Sequence, residues 1–244
     1  MAHLWNTIFY EPIYNALIFI INNITFGDVG FAIIVATVVI KLFLAPLTKK
    51  SIRSQVLMKK MEPELKQIKK DFPNKEEQAK KTFELYKKYK TNPFSGCLVV
   101  LIQIPFIFAL YYVFYKGLSF DGSHIYSFIK TPTETNTIFL GLIEMHGKSL
   151  VLAILAGVSQ FVQGYLSSPI KPKDKNTNEN KEGKSFQEEL SKSMQTNVKY
   201  ILPVFIGFVA YQISAAVALY WITSNIFTIT QEWYIRRSLT KNSN

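Results

Sequence analysis

Long apolar segments separated by polar ones run along most of this chain. A helix needs about 20 mainly apolar residues to cross a bilayer. We therefore predict five membrane-spanning helices, over residues 27–48, 94–116, 149–168, 198–213 and 215–235. The last two share one apolar stretch that is too long for a single ordinary span, and Ser214-Ala215-Ala216 is the expected turn between them. The pattern predicts an all-α membrane protein.

Residues 1–26 differ from these segments, because their apolar run from Ile13 to Ile21 is too short to span. The apolar residues before and within it recur at helical spacing, which predicts an amphipathic helix lying in the membrane interface. The first part of a spanning helix remains the alternative. The absence of Lys and Arg up to Asn23 argues against a secretory signal peptide.

Residues 49–93 combine charge with a helical apolar stripe, which predicts a two-helix hairpin. The first helix carries the stripe and ends where Phe72-Pro73-Asn74 breaks it. A second, shorter stripe is predicted to form the returning helix. The first stripe is Leu57, Met61, Leu65, Ile68 and Phe72, and the second is Ala79, Phe83, Tyr86 and Tyr89.

The basic residues predict the orientation. The chain has a formal net charge of +11, and residues 49–93 alone carry fourteen Lys and Arg. Residues 169–197, a predicted mobile loop, and the tail 236–244 are also basic, whereas the loop 117–148 is poorer in Lys and Arg for its length. The positive-inside rule puts the basic segments in the cytoplasm and 117–148 outside. Five spans then place the N-terminus outside and the C-terminus inside.

Lys41 is a cation well inside the first predicted span, where insertion of a lysine costs about 2.5–3.5 kcal/mol. One interpretation is a lysine that only snorkels towards the interface. The other is a cation that faces a water-filled cavity open to the cytoplasm. Thr37 precedes it by one helical turn and Thr48 follows two turns later, so this face of the helix is polar.

Other predicted spans also carry polar faces. Such residues commonly join membrane helices to each other, but polar faces on four spans together with one cation indicate a shared hydrophilic groove. The candidate groove residues are Lys41, Thr37, Gln103, Gln160, Gln163, Trp221, Ser224 and Thr228.

The inventory of catalytic residues is poor. His3, His124 and His146 all fall in predicted outer segments and form no helical metal-binding pair. No glycine-rich phosphate loop and no Gly-x-Ser-x-Gly elbow occur. The lone Cys97 has no partner for a disulfide within the chain. We therefore expect no enzyme, no catalytic residues, no metal and no cofactor.

Several runs of the sequence resemble the YidC/Oxa family of membrane protein insertases, in its short form without a large external domain. The first run is residues 30–48, which includes Lys41, and the last is Leu219-Tyr220-Trp221-Ile222-Thr223-Ser224-Asn225. Between them lie the basic hairpin and Asn92-Pro93 followed by Gln103-Ile104-Pro105. The family usually has Arg where this chain has Lys41, and this change keeps the charge but loses the planar guanidinium.

The resemblance implies five helices around a groove that is closed to the outside and open to the cytoplasm and to lipid. It implies an insertase in the bacterial plasma membrane, with nascent membrane proteins as substrates and the ribosome, a targeting receptor and a larger translocon as partners. A small anion channel or transporter, and a non-translocating assembly chaperone, are the alternatives. The residues expected to contact the ribosome or receptor are Lys59, Lys60, Lys69, Lys70, Arg236 and Arg237.

Overall fold

A computed structural model describes residues 2–91, 95–115, 124–132, 134–167 and 197–241. The protein is mostly helical over these residues. Two π-helical segments also occur: Asn6–Tyr10 joins the first two α-helices, and Asn197–Ile201 leads directly into the helix that starts at Leu202. The α-helices are α1 Ala2–Trp5, α2 Glu11–Asn23, α3 Val29–Asp71, α4 Lys75–Lys88, α5 Ser95–Tyr115, α6 Leu150–Ser167, α7 Leu202–Ile213 and α8 Ala215–Lys241.

Two of the described helices are long and apolar enough to cross a membrane, namely α3, over Val29–Ile68, and α6. The stretches Leu101–Phe114 and Lys199–Ile213 are apolar but shorter. Three of these segments lie within the predicted spans 94–116, 149–168 and 198–213, whereas Val29–Ile68 extends well beyond the predicted span 27–48. The number of spans in the membrane remains a prediction.

The helix α3 continues where the sequence predicted an end to the first span at residue 48. It passes through Pro46 and Pro63 and ends only at Asp71. A proline lacks the N–H that would bond the carbonyl four residues earlier. The helix continues past Pro46 because only one backbone hydrogen bond is lost there and the following turn still forms. In that turn, Thr48 Oγ1 donates to the carbonyl of Leu44 at 3.0 Å. The span and the first hairpin helix are therefore one helix.

The turn of the hairpin lies where the sequence predicted it. Phe72 and Pro73 are outside helices, and Asn74 caps α4 by accepting a hydrogen bond from the Glu76 N–H at 3.0 Å. The predicted apolar stripe of α4 is only partly correct, since Tyr86 and Tyr89 are half-buried but Ala79 and Phe83 are exposed. Phe83 is 63% exposed, whereas Leu85 is buried. The buried face of α4 contains both apolar and polar residues, because Gln78 and Thr82 lie on the same side as Leu85 and are half-buried.

The chain consists of two compact units. The first contains Met1–Ile40 and Ile107–Ile229, and the second contains Lys41–Phe106 and Thr230–Asn244. Each unit is described below by itself.

The helix α2 belongs to the apolar core of the first unit. Its face with Leu17, Ile18 and Ile21 is fully buried against protein, while Phe19 on the opposite face is exposed. Periodicity predicts such a face but does not tell whether protein or lipid covers it. The position of residues 1–26 at a membrane interface stays a prediction.

Residues 134–149 form a small cap that sequence patterning did not foresee, since they lie in the predicted loop 117–148. Two short antiparallel strands, β1 Ile138–Phe139 and β2 Ile143–Glu144, pair Phe139 with Ile143. We call residues 134–149 the capping segment. The sequence did not predict these strands, because a strand of two residues is too short to show alternation of apolar and polar residues.

The capping segment supplies partners for the starts of two helices. The Val29 N–H, at the start of α3, donates to the carbonyl of Asn136 at 3.0 Å. The Ala215 N–H, at the start of α8, donates to the carbonyl of Gly147 at 2.7 Å. The first four N–H groups of a helix have no partner within it, so these bonds stabilise both helix ends. The break between α7 and α8 at Ser214 lies where the sequence predicted it.

Some predictions fall outside the described residues. These are the loop 169–197 except for its last residue, the helix start at Asn92-Pro93, most of the N-terminal part of the loop 117–148, and the last three residues of the tail.

Candidate polar groove and basic hairpin

The predicted groove residues divide between the two units. Gln160, Gln163, Thr37, Trp221, Ser224 and Thr228 belong to the first unit, whereas Lys41 and Gln103 belong to the second.

A polar row runs along α6 in the first unit. Gln160 Nε2 donates to Oε1 of Gln163 at 3.1 Å, and Gln163 Nε2 donates to Oγ of Ser167 at 3.0 Å. Gln160 is buried, and the row follows one face of the helix because its spacings are 3 and 4 residues. The sequence predicted that Gln160 and Gln163 share a face, and their hydrogen bond confirms it.

Leu152, Ala153 and Ala156 of the same helix are buried, but most of its remaining surface is apolar and exposed. A helix of this kind can present hydrocarbon to lipid and hydrogen-bonding groups to its other side. The large exposed apolar residues of α6 are Leu150, Val151, Ile154, Leu155, Val158, Phe161, Val162, Tyr165 and Leu166.

A residue pair that sequence reasoning missed joins α6 to α8. Asn225 Nδ2 donates to Ser159 Oγ at 3.0 Å, and the Ser159 hydroxyl donates to the carbonyl of Ala156 at 2.9 Å. Asn225 is buried. A buried side-chain amide needs such a partner, because an unpaired one costs about 1–3 kcal/mol. Asn225 ends the family-like run 219–225, which was the signal that could have found it.

The hydroxyl groups predicted for the groove bond within their own helices. Thr37 is buried and its Oγ1 donates to the carbonyl of Ile33 at 2.6 Å. Thr228 Oγ1 donates to the carbonyl of Ser224 at 2.8 Å. Such bonds satisfy a hydroxyl donor locally and leave its lone pairs able to accept. Trp221 is partly buried against the apolar core.

In the second unit, Lys41 is half-buried on α3. Gln103 lies on α5, and its Nε2 is buried without a hydrogen-bond partner among the residues that the structure describes. A donor in this state is an uncommon feature of a folded protein.

The end of α8 holds a buried acid that the sequence analysis did not single out. Glu232 is buried, and its Oε1 accepts a hydrogen bond from Arg236 Nε at 2.9 Å. Gln231 Nε2, beside it, donates to the carbonyl of Ala45 at 3.2 Å. Arg236 was predicted as a receptor contact, but its guanidinium is engaged with Glu232. Arg237 is exposed, and its guanidinium carbon lies 5.4 Å from the centre of the Trp233 ring.

The hairpin presents its cations to solvent. Lys59, Lys60 and Lys70 are exposed, and the side chain of Lys69 lies outside the described residues. One polar cluster joins the two hairpin helices: Lys88 Nζ donates to Glu64 Oε2 at 2.9 Å, and the Tyr89 hydroxyl donates to Glu64 Oε1. The hydrogen bonds from Tyr89 and Lys88 hold the pKa of the Glu64 carboxyl below its usual value.

Over the described residues, no group of three or more His, Cys, Asp or Glu side chains could hold a metal ion. His124 and His146 each lie beside a single glutamate, Glu11 and Glu144 respectively.

Comparison with known proteins assigns the chain to a family. The sequence model of the 60Kd inner membrane protein family matches residues 20–242. A protein of Clostridium tetani is 30% identical over 100% of this chain and 98% of its own length. A protein of Fusobacterium nucleatum subsp. nucleatum is 29% identical over 93% of this chain and 97% of its own length.

A longer relative, from Francisella tularensis subsp. novicida, is 32% identical over 86% of this chain but only 33% of its own length. All three relatives carry the name "Membrane protein insertase YidC". Since the family's sequence model covers nearly the whole chain, the protein belongs to the 60Kd inner membrane protein family, the YidC/Oxa family that the sequence runs had indicated.

Proposed function

We propose that this protein is a membrane protein insertase of the bacterial plasma membrane, with five spans, an outer N-terminus and a cytoplasmic C-terminus. The observation that carries the proposal is its similarity, along the whole chain, to proteins named as insertases. The substrates are nascent membrane proteins. The ribosome and a targeting receptor are the proposed partners on the side of the basic hairpin, and a larger translocon is a further proposed partner.

The physical task is to move polar parts of a substrate across hydrocarbon. A charged residue costs about 2.5–3.5 kcal/mol at the centre of a bilayer, and unpaired backbone groups cost several kcal/mol each. A hydrophilic groove partway into the membrane shortens the apolar distance that a polar tail has to cross. Hydrophobic burial of the substrate and the membrane potential then complete the transfer, so that no nucleotide is needed.

Each proposed groove residue has a simple role. Lys41 attracts acidic side chains of the substrate tail. Gln103 offers a buried donor that lacks a partner among the described residues, which suits a transient acceptor. Thr37, Gln160, Gln163, Ser224 and Thr228 supply further hydrogen-bonding groups, and Trp221 borders them.

The two faces of α6 support the proposed path of a substrate. Its exposed apolar face suits contact with a hydrophobic segment that is moving into lipid. Its row Gln160–Gln163–Ser167 suits contact with the polar tail of the same substrate. The apolar segment is proposed to move along α6 and α8.

The test is a reconstituted insertion assay with Lys41 variants. Lys41→Arg should keep activity, whereas Lys41→Ala should insert a substrate with an acidic N-terminal tail several-fold less well. A charge pair at 4 Å in a wet groove is worth about 1–4 kcal/mol, which is enough for that change. Lys41→Glu should be worse still, because it repels the same tail.

The matched control is Lys49→Ala, which removes an exposed lysine from the same helix and should leave the yield unchanged. A second substrate with an uncharged tail should be affected less by every Lys41 variant. A lysine that only snorkels, or a chaperone that only shields helices, predicts equal yields for all variants, and that result would refute the groove mechanism. An anion channel predicts ion flux without insertion.

A further inference from the structure

The first unit contains an open apolar crevice between α6 and the segment from Tyr200 to Tyr211. It encloses about 620 Å³, a volume within the range of small-molecule sites. Its lining is almost entirely apolar. The groove residues proposed above do not line this crevice.

Two glycines form the floor of the crevice. A Cβ built on Gly157 would lie 3.7 Å from the Gly207 Cα and 3.1 Å from the carbonyl oxygen of Pro203, so the two backbones are in contact there. Small residues at such a crossing let membrane helices approach closely. Larger side chains above the floor, among them Phe161 and Tyr211, form the walls.

The dimensions favour an extended hydrocarbon chain over a peptide helix as the occupant. From Leu150 to Phe161 the crevice follows α6 for about 16 Å, roughly half of a 30 Å hydrocarbon core. A helix of that length and about 10 Å wide occupies about 1,300 Å³, more than the empty volume of about 1140 Å³, so a helix could not lie wholly within the crevice. An acyl chain is thinner and matches the depth of one leaflet.

The charge at one end of the crevice favours an anionic lipid. Lys199 Nζ lies 4.4 Å from the centre of the Tyr165 ring and 5.5 Å from that of Tyr200, which lines the crevice. At the other end, Lys148 Nζ lies 5.5 Å from the centre of the Tyr211 ring, but it also donates to Gln212 Oε1 at 3.0 Å, whereas Lys199 Nζ makes no side-chain hydrogen bond to the described residues. The Lys199 ammonium is therefore the better placed of the two to bind a phosphate.

We propose that this crevice binds one acyl chain of an anionic phospholipid, whose phosphate contacts Lys199. The chain fills the gap between α6 and α7 from the Lys199 end, and the aromatic rings beside Lys199 border the glycerol region. The bound lipid would be a constituent of the folded protein in the membrane, whether or not a substrate is present.

Photocrosslinking in lipid nanodiscs tests the proposal with the full chain. Phosphatidylglycerol and phosphatidylcholine probes, each with a diazirine in the acyl chain, are compared at trace levels in phosphatidylcholine nanodiscs. Mass spectrometry then maps the labelled segments. We expect labelling of residues 150–161 and 199–211, with the phosphatidylglycerol probe about five-fold stronger, the ratio that the attraction of one lysine to an anionic lipid gives.

Two variants with matched controls separate the contributions of shape and charge. Val204→Trp places a large ring in the crevice at a side chain that is 74% exposed, and it should remove most labelling by both probes. Val151→Trp, at an exposed position outside the crevice, should not. Lys199→Gln should make the two probes equal, while Lys148→Gln should leave the preference intact.

Equal labelling by the two probes in the unmodified protein, or labelling that Val204→Trp leaves unchanged, would overturn the proposal. So would stronger labelling of these segments by a synthetic transmembrane peptide carrying photoleucine, since that result would identify a helix as the occupant. None of these outcomes depends on insertion activity.

Discussion

The capping segment and the basic hairpin satisfy their polar groups in opposite ways. Around the capping segment, backbone groups of buried residues bond between parts of the chain that are distant in sequence, as the Ala216 N–H does with the carbonyl of Met145 at 3.0 Å. In the hairpin, the cluster Glu64–Lys88–Tyr89 lies at the surface and consists of one ion pair and one hydroxyl hydrogen bond. Removing a partner from a buried bond costs about 1–3 kcal/mol, whereas an exposed ion pair contributes little.

The first unit and the hairpin are therefore expected to differ in stiffness. The first unit should resist local opening, because its helix ends are tied together by bonds that water cannot replace. The hairpin has few buried side chains and a turn at Pro73, so it should pivot and open at low cost. A surface that has to meet partners of different shape benefits from the second property.

The largest expected effect is that of Gly30→Leu in the first unit. A Cβ at this position would lie 2.2 Å from Cδ2 of Phe139, so α3 and the capping segment would have to separate. We expect a loss of about 3 kcal/mol in stability, measured as a lower thermal unfolding midpoint in detergent. At Gly147, where a Cβ would have only ordinary contacts, Gly147→Ala is the control and should leave the midpoint almost unchanged. Equal midpoints for the two variants would contradict the close packing of Phe139 on Gly30.

A smaller effect is expected for Asn15→Leu on α2. The buried side chain of Asn15 donates to the carbonyl of His124 at 2.8 Å and accepts from the Tyr126 N–H at 2.8 Å. Leucine has a similar size but leaves both backbone groups unpaired, which should cost about 2 kcal/mol. Asn23→Leu is the control, since Asn23 is exposed and bonds only within its helix. Thermal unfolding of the two variants should differ clearly, and a stable Asn15→Leu protein would show that α2 is not anchored here.

The smallest effect on stability is expected for Glu64→Gln in the hairpin. The unfolding midpoint should stay close to that of the unmodified protein, because the cluster is exposed. The distance between spin labels on α3 and α4 should nevertheless become broader, since Lys88 loses its charged partner. Lys81, which pairs with Glu84 on the same helix, offers the control Glu84→Gln, which should not change that distance.

The pH dependence of the same cluster follows from the lowered pKa of Glu64. A carboxyl whose pKa is lower in the folded state than in the unfolded state stabilises the folded state at pH values above the unfolded pKa, here 4.5. This contribution is lost as the pH falls through the folded pKa. The spin-label distance should therefore broaden below about pH 4.5 and stay narrow at pH 7. Glu64→Gln should show no such transition, and a transition that persists in that variant would assign it to another group.

Local signals determined much of what the sequence predicted correctly. Phe72-Pro73-Asn74 breaks a helix because proline and asparagine act within a few residues of themselves, and Ser214 likewise lies at a helix end. Gln160 and Gln163 share a face because helical geometry alone puts residues three apart side by side. The apolar segments and the family resemblance are also properties of the linear chain, and they were enough to identify an insertase family.

Only the tertiary structure decided which of several similar residues become buried or form pairs. The sequence offers Phe83 and Leu85 on α4, and only packing against other elements buries Leu85. Arg236 resembles any basic tail residue until the fold buries Glu232 beside it. The contact of Phe139 with Gly30 joins residues more than a hundred positions apart, and no periodicity within a window reveals it. Distant contacts depend on how whole helices and loops meet, and this arrangement is set by the sum of their packing energies rather than by any local pattern.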